Sequence, residues 1–168
     1  MTTSQQILMT EELTAFHEAG HAFAALYLGA RVQSVTIDPD NDDGPARTGD
    51  TVVLWSRRRF SRREMAEKAA VVALAGPVAE MIHSENPFHP GLVAEWQQDW
   101  ETAFEALEHL SDVQKRLAHL ERLTIRLYRD FRDDQHWAAI GAIADALLAH
   151  ETLDEEMLQE IIEPWMDA

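Results

Sequence analysis

The chain has 168 residues, 46% of them apolar, a formal net charge of −16 and no cysteine. The length and apolar content suit one compact domain, residues 1–168, with a core of its own. Without cysteine no disulfide or thiolate metal site can form, and so acidic a surface is a poor partner for nucleic acid.

The first predicted element is a helix over residues 11–28. Thr10 is a candidate N-cap, two glutamates suit the positive end of the helix, and Gly29 can end it. The segments 31–37 and 50–55 are rich in β-branched residues and flank a stretch of turn residues, which predicts a β-hairpin.

The rest of the chain is predicted to be helical. Ser61 and Glu64 form a capping-box pattern that begins a long apolar helix, which Pro77 either kinks or restarts. Further helices are expected near residues 91–110, 112–132, 135–149 and 153–166, the last with an apolar stripe at helical spacing. The predicted fold class is therefore mainly α (α+β), with one small β-hairpin.

Charge and hydropathy limit the binding partners and the cellular location that we expect for the protein. The N-terminus lacks the basic and apolar regions of a secretory signal, and the longest apolar run is too short to span a bilayer, so we expect a soluble cytoplasmic protein that does not bind membranes. The five arginines of the cluster Arg57–Arg63 form either a solvated surface or a docking surface for an acidic partner. A homo-oligomer is compatible with the sequence.

The sequence "HEAGH" at residues 17–21 carries the clearest chemical signal. On a helix, His17 and His21 project from the same face and can bind one cation, whereas Glu18 projects about 100° away. The glutamate can then take a proton from a water whose acidity the metal raises. Two histidines in an apolar helix would otherwise be costly to bury.

A catalytic zinc site needs a third protein ligand. The motif does not continue into H-x-x-G-x-x-H, so this ligand lies elsewhere in the chain. The downstream side chains left open by the spacing alone are Glu80, His83, Glu85, His89, Glu95 and Asp99.

Four segments in order resemble the peptidase domain of the FtsH-type ATP-dependent zinc proteases: "HEAGHA" (17–22), "VTI" (35–37), "LAGPVAE" (74–80) and "QQDWETA" (97–103). The resemblance implies a multi-helical FtsH-peptidase-like zincin domain. It also implies Zn²⁺ held by His17, His21 and Asp99, with Glu18 as the catalytic base, and it leaves Glu95, one helical turn earlier, as the alternative third ligand.

The sequence departs from that family at several positions. Gln98, Trp100 and Phe104 replace the residues around the aspartate, and Pro77 replaces an arginine. The chain contains no G-x-x-x-x-G-K-[ST] sequence, so we expect a peptidase domain without an ATPase module or a transmembrane segment.

These patterns lead to a functional hypothesis and an alternative. The first is an ATP-independent zinc metalloendopeptidase acting on peptides or unfolded protein segments. The second is a catalytically silent zinc-binding domain that serves as a protein-interaction module, and a purely structural zinc site is a further alternative. If peptides are cut, we expect one hairpin strand to lie beside the zinc and to hold the substrate along its edge.

Overall fold

A computed structural model of the protein describes residues 3–38, 50–86 and 93–166. In these parts the elements are α1 (Thr3–Tyr27), β1 (Arg31–Thr36), β2 (Asp50–Leu54), α2 (Arg62–Ser84), a 3₁₀ turn (Ala94–Trp96), α3 (Gln97–Ala106), α4 (Val113–Phe131), α5 (Asp134–His150), β3 (Thr152–Asp154) and α6 (Glu155–Met166). The fold is mainly helical with a small antiparallel sheet, which confirms the predicted fold class.

The sheet has the strand order β2-β1-β3. β1 and β2 form the predicted antiparallel hairpin, with a register shift between Val32 and Ser34. β3 was not predicted: the sequence placed residues 153 and 154 at the start of a helix, whereas Thr152–Asp154 pairs with Ser34–Thr36 of β1. Only the fold brings these distant segments together, so local pattern could not reveal the strand.

Two helix boundaries were also wrong. α1 begins at Thr3, so Thr10 is not its cap but lies within it, where its carbonyl accepts a hydrogen bond from the Thr14 hydroxyl at 2.9 Å. The helix predicted for residues 91–110 is shorter, because its described part is a 3₁₀ turn followed by the ten-residue α3. The ends of α4 and α5 agree with the prediction within one residue.

Other local signals were read correctly. Both hydrogen bonds of the capping box between Ser61 and Glu64 are present. Of the two effects predicted for Pro77, a restart of the helix was wrong, because α2 continues through this residue. Gly29 follows α1 with a φ of +94°, a conformation that favours glycine. In the described parts of the chain no helix combines the length and apolarity needed to cross a bilayer.

α1 and α2 lie against each other along a face of small residues. A Cβ on Gly20 would come within 2.5 Å of the Ala75 carbonyl oxygen and 2.7 Å of the Ala79 Cβ. The two helix backbones can therefore approach only because residue 20 has no side chain. The small residue between the two motif histidines therefore lets α2 pack closely on α1.

Candidate metal centre and its cleft

Both motif histidines lie on α1 and are held from behind by α2. His17 Nδ1 lies 2.6 Å from Glu80 Oε2, and His21 Nδ1 lies 2.6 Å from the Val72 carbonyl oxygen. A carbonyl oxygen and a carboxylate only accept, so each Nδ1 carries the hydrogen and donates it. In the neutral rings, each Nε2 therefore presents a lone pair.

The two Nε2 atoms face each other across 3.0 Å. Asp99, in the first turn of α3, places Oδ2 2.8 Å from His17 Nε2 and Oδ1 3.5 Å from His21 Nε2. The three ligand-type atoms lie within 4.8 Å of one another. Two lone pairs and a carboxylate that converge at one point repel each other unless a proton or a metal cation lies between them. His17, His21 and Asp99 are therefore a group that could hold a metal ion, named here the metal-binding group.

The electrostatics of the group favour positive charge at this point. Burial alone would lower the pKa of His17, but the carboxylates of Asp99 and Glu80 outweigh it and raise that pKa from 6.5 to about 10. Burial opposes a charge on His21 as well, yet Asp99 raises its pKa. For Asp99, burial acts upward but the two imidazoles hold its pKa well below the usual range.

Gly76 leaves the space in front of the histidines open. A Cβ built on Gly76 would contact His21 Nε2 directly and lie 2.8 Å from His17 Nε2. Any larger residue would therefore fill the place where the two lone pairs meet. In the sequence, Gly76 is notable only as part of the resembling segment LAGPVAE. Its position opposite the motif is decided by the packing of α2 on α1.

Glu18 lies beside the metal-binding group but is not part of it. It is 5% exposed, and its Oε2 accepts a hydrogen bond of 2.6 Å from the Thr51 hydroxyl on β2. Burial raises the pKa of Glu18. A carboxylate with a raised pKa next to a metal-binding group is suited to accept and return a proton.

Glu80 was considered as a third ligand, but the structure places it behind His17. It is 2% exposed, and its Oε2 also accepts a 2.6 Å hydrogen bond from the Trp96 indole nitrogen. A carboxylate on the far nitrogen of a ligating histidine fixes the ring and its tautomer. Trp96 ties this carboxylate to the turn that leads into α3, a connection that the sequence did not signal.

The remaining candidates for the third ligand lie outside the group. His83 pairs with Glu12 at 3.0 Å. Glu85 ends α2 in a left-handed conformation and is exposed, and Glu95 is exposed on the 3₁₀ turn. His89 lies outside the described residues.

The group opens into a cleft of about 720 Å³. One border is β2, with Asp50, Thr51, Val53 and nearby Trp55, and another is the segment 95–102. The hairpin therefore lies beside the metal-binding group, as predicted. In the described sheet β2 is an edge strand, whereas β1 is paired on both sides.

The arginine cluster extends from the turn after β2 into the first turn of α2. Arg57, Arg58, Arg59, Arg62 and Arg63 are all exposed. Arg59 donates to the Gly29 carbonyl oxygen at 3.4 Å and lies over the Phe60 ring. An acidic partner for this surface stays a prediction.

Comparison with known families adds evidence that is independent of this geometry. Residues 6–81 match a family model described as Peptidase M50B-like. The match includes His17, Glu18 and His21 and ends before Asp99. The search of curated proteins finds no match. The family match supports a metallopeptidase-family domain over the part of the chain that contains the motif.

Proposed function

We propose that the protein is a zinc metalloendopeptidase in which His17, His21 and Asp99 hold the metal and Glu18 is the general base. One observation carries the proposal: the Nδ1 atoms of His17 and His21 both donate hydrogen bonds to α2, so both Nε2 atoms present lone pairs to the same point. The Asp99 carboxylate lies at that point as well, 2.8 Å from His17 Nε2. Two imidazoles and one carboxylate are a typical ligand set for catalytic zinc, with one position left for water or substrate. Among the described residues three side chains offer ligand atoms at this point, which together with the buried Glu18 argues against a purely structural metal.

The chain's own residues account for orientation and proton transfer. When bound, the zinc would lower the pKa of a water and polarise the scissile carbonyl. Glu18 accepts the proton from the attacking water and returns it to the leaving amine, and the Thr51 hydroxyl holds its carboxylate in place. Glu80 keeps the His17 ring in the tautomer that presents Nε2.

We further propose that the substrate is an extended peptide segment added to the outer edge of β2, which pairs with no other described strand. Such an edge supplies backbone hydrogen bonds without demanding a particular sequence. Opening a folded domain costs about 5–15 kcal/mol, and the 168 residues contain no phosphate-binding loop that could couple ATP hydrolysis to this work. The substrates are therefore peptides or unfolded segments, and cleavage by this chain does not depend on ATP.

The decisive experiment compares the zinc-loaded protein with Glu18→Gln on a library of flexible peptides. We expect cleavage by the wild type, its loss with a chelator, no change with ATP, and zinc binding without turnover in Glu18→Gln. If both proteins bind zinc and neither cleaves any peptide, the chain is instead a silent interaction module. Loss of zinc from the variant Asp99→Ala would support the ligand set that the FtsH-type resemblance implies.

A further inference from the structure

The cleft above the histidines is bordered by carboxylates. Five line it, from Glu18, Asp50, Glu95, Asp99 and Glu101, and no lysine or arginine of the described residues does. Glu18 and Asp99 belong to the proposed catalytic machinery, and their two charges are offset by a divalent cation once the histidines are neutral. For the other three carboxylates, the described residues supply no compensating positive charge.

These three carboxylates are exposed and come from two different borders of the cleft. Asp50 is the first residue of β2, whereas Glu95 and Glu101 belong to the segment that also carries Asp99. Among the described residues no lysine or arginine forms an ion pair with any of them. Glu101 has only a long hydrogen bond of 3.4 Å from the Gln97 side chain.

The same cleft also offers apolar surface along β2. Val53 and Trp55 line it and are only half-buried. A lysine or arginine side chain can lay its aliphatic stem on such a surface while its charged end reaches a carboxylate. An acidic side chain in the same place would meet charges of its own sign.

We propose that the substrates of this site are basic peptides, with lysine or arginine within a few residues of the bond that is cut. The inference rests on the proposed function for the position of that bond. It adds the substrate class, which follows from the three carboxylates in the cleft that no described lysine or arginine pairs with. The net charge of −16 acts in the same direction, because it attracts cationic chains to the protein over longer distances.

The test measures binding first, so that it does not depend on turnover. Three labelled peptides of equal length would carry lysine, glutamine or glutamate on both sides of a common central sequence. Their affinities for the zinc-loaded Glu18→Gln protein would be measured by fluorescence anisotropy at low and high ionic strength. We expect the order lysine, glutamine, glutamate, with steps of about two- to fivefold per charge that shrink as salt is added.

Variants that each remove one carboxylate test whether the preference for the lysine peptide arises from the cleft. Glu95→Gln and Glu101→Gln should each weaken binding of the lysine peptide by about two- to fivefold and leave the glutamine peptide unchanged. Glu105→Gln is the control, since Glu105 is exposed on α3, like Glu101, but does not line the cleft. Cleavage rates of the three peptides by the wild type should follow the same order.

The outcomes separate this inference from the proposed function. Equal affinity for all three peptides, or a preference that Glu105→Gln reduces as much as Glu101→Gln, would overturn the inference. Cleavage of all three at equal rates would overturn it while supporting the peptidase. Selective binding of the lysine peptide without any cleavage would support the basic preference and overturn the peptidase.

Discussion

His17 and His21 lie on a 25-residue helix, whereas Asp99 lies in the first turn of a helix of ten residues. Both histidine side chains are 11% exposed and each is fixed by a hydrogen bond from Nδ1 to α2. The Asp99 side chain is 23% exposed and is reached through a 3₁₀ turn that Trp96 ties to Glu80. The histidine half is therefore organised by packing on α2 before any metal binds, whereas the Asp99 carboxylate contacts the histidines themselves.

The two halves of the metal-binding group therefore contribute differently to metal binding. A preformed pair of imidazoles lowers the entropic cost of metal binding. Asp99, on the shorter helix, completes the metal-binding group. The segment that carries Asp99 also places Glu95 and Glu101 along the cleft. Changes in the histidine half should consequently abolish metal binding, while changes around the aspartate half should weaken it by degrees.

The largest effect is expected from Gly76→Ala. The new methyl group would contact His21 Nε2 and lie 2.8 Å from His17 Nε2, so it fills the space for the cation. Zinc binding measured by calorimetry should be lost, as it should in His17→Ala. Gly141→Ala is the control, because a Cβ there meets nothing within 4 Å, and it should keep the metal and gain about 0.5–1 kcal/mol of stability. Full zinc affinity in Gly76→Ala would disprove the assigned position.

The second-largest effect is the difference in zinc affinity that we expect between Asp99→Ala and Glu95→Ala. Asp99 lies 2.8 Å from His17 Nε2, whereas Glu95 is exposed beside the cleft. Asp99→Ala should weaken zinc binding by more than the roughly 10- to 100-fold typical of removing an outer partner, and Glu95→Ala should leave it within about twofold. A zinc competition assay measures both. The reverse pattern would mean that the resemblance was aligned one helical turn too far along the chain.

A third prediction uses pH to separate the metal-free and zinc-loaded states. In the metal-free protein the His17 pKa is raised from 6.5 to about 10, so the folded state holds a proton that the unfolded state releases over this range. The stabilisation is complete below pH 6.5 and is lost as the pH rises towards 10. Zinc requires neutral imidazoles, so the stabilisation that zinc adds should grow as the pH rises.

Thermal unfolding of both states across this pH range is the measurement. The melting temperature of the metal-free protein should fall more steeply than that of metal-free His17→Ala, which lacks the titrating group. Parallel slopes for the two proteins would argue against a protonated His17 in the metal-free fold.

The smallest effect is expected from Trp96→Phe. A smaller aromatic ring remains but the 2.6 Å hydrogen bond to Glu80 is lost, which loosens the link between the two halves. Zinc affinity should fall by about tenfold or less, with kcat reduced and KM nearly unchanged. Trp165→Phe, on α6 and away from the cleft, is the control. If Trp165→Phe lowers zinc affinity equally, the effect belongs to general stability and not to Glu80.

The sequence by itself determined what depends on spacing along one element. His17, Glu18 and His21 take their relative positions from the helical repeat, and the capping box and hairpin follow from equally local rules. The fold class followed from the same periodicity. Among the candidates for the third ligand, the resemblance selected Asp99, and the structure brings that residue to the histidines.

The tertiary structure decided whatever joins distant segments. Gly76, Glu80 and Thr51 acquire their places around the motif only when α2 and β2 pack against α1, and Trp96 reaches Glu80 only through the turn before α3. The strand at Thr152–Asp154 exists only because β1 is there to pair with it. The period of a helix fixes neighbours four residues apart. Contacts across 16 to 120 residues depend on how the whole chain packs, and no local pattern encodes them.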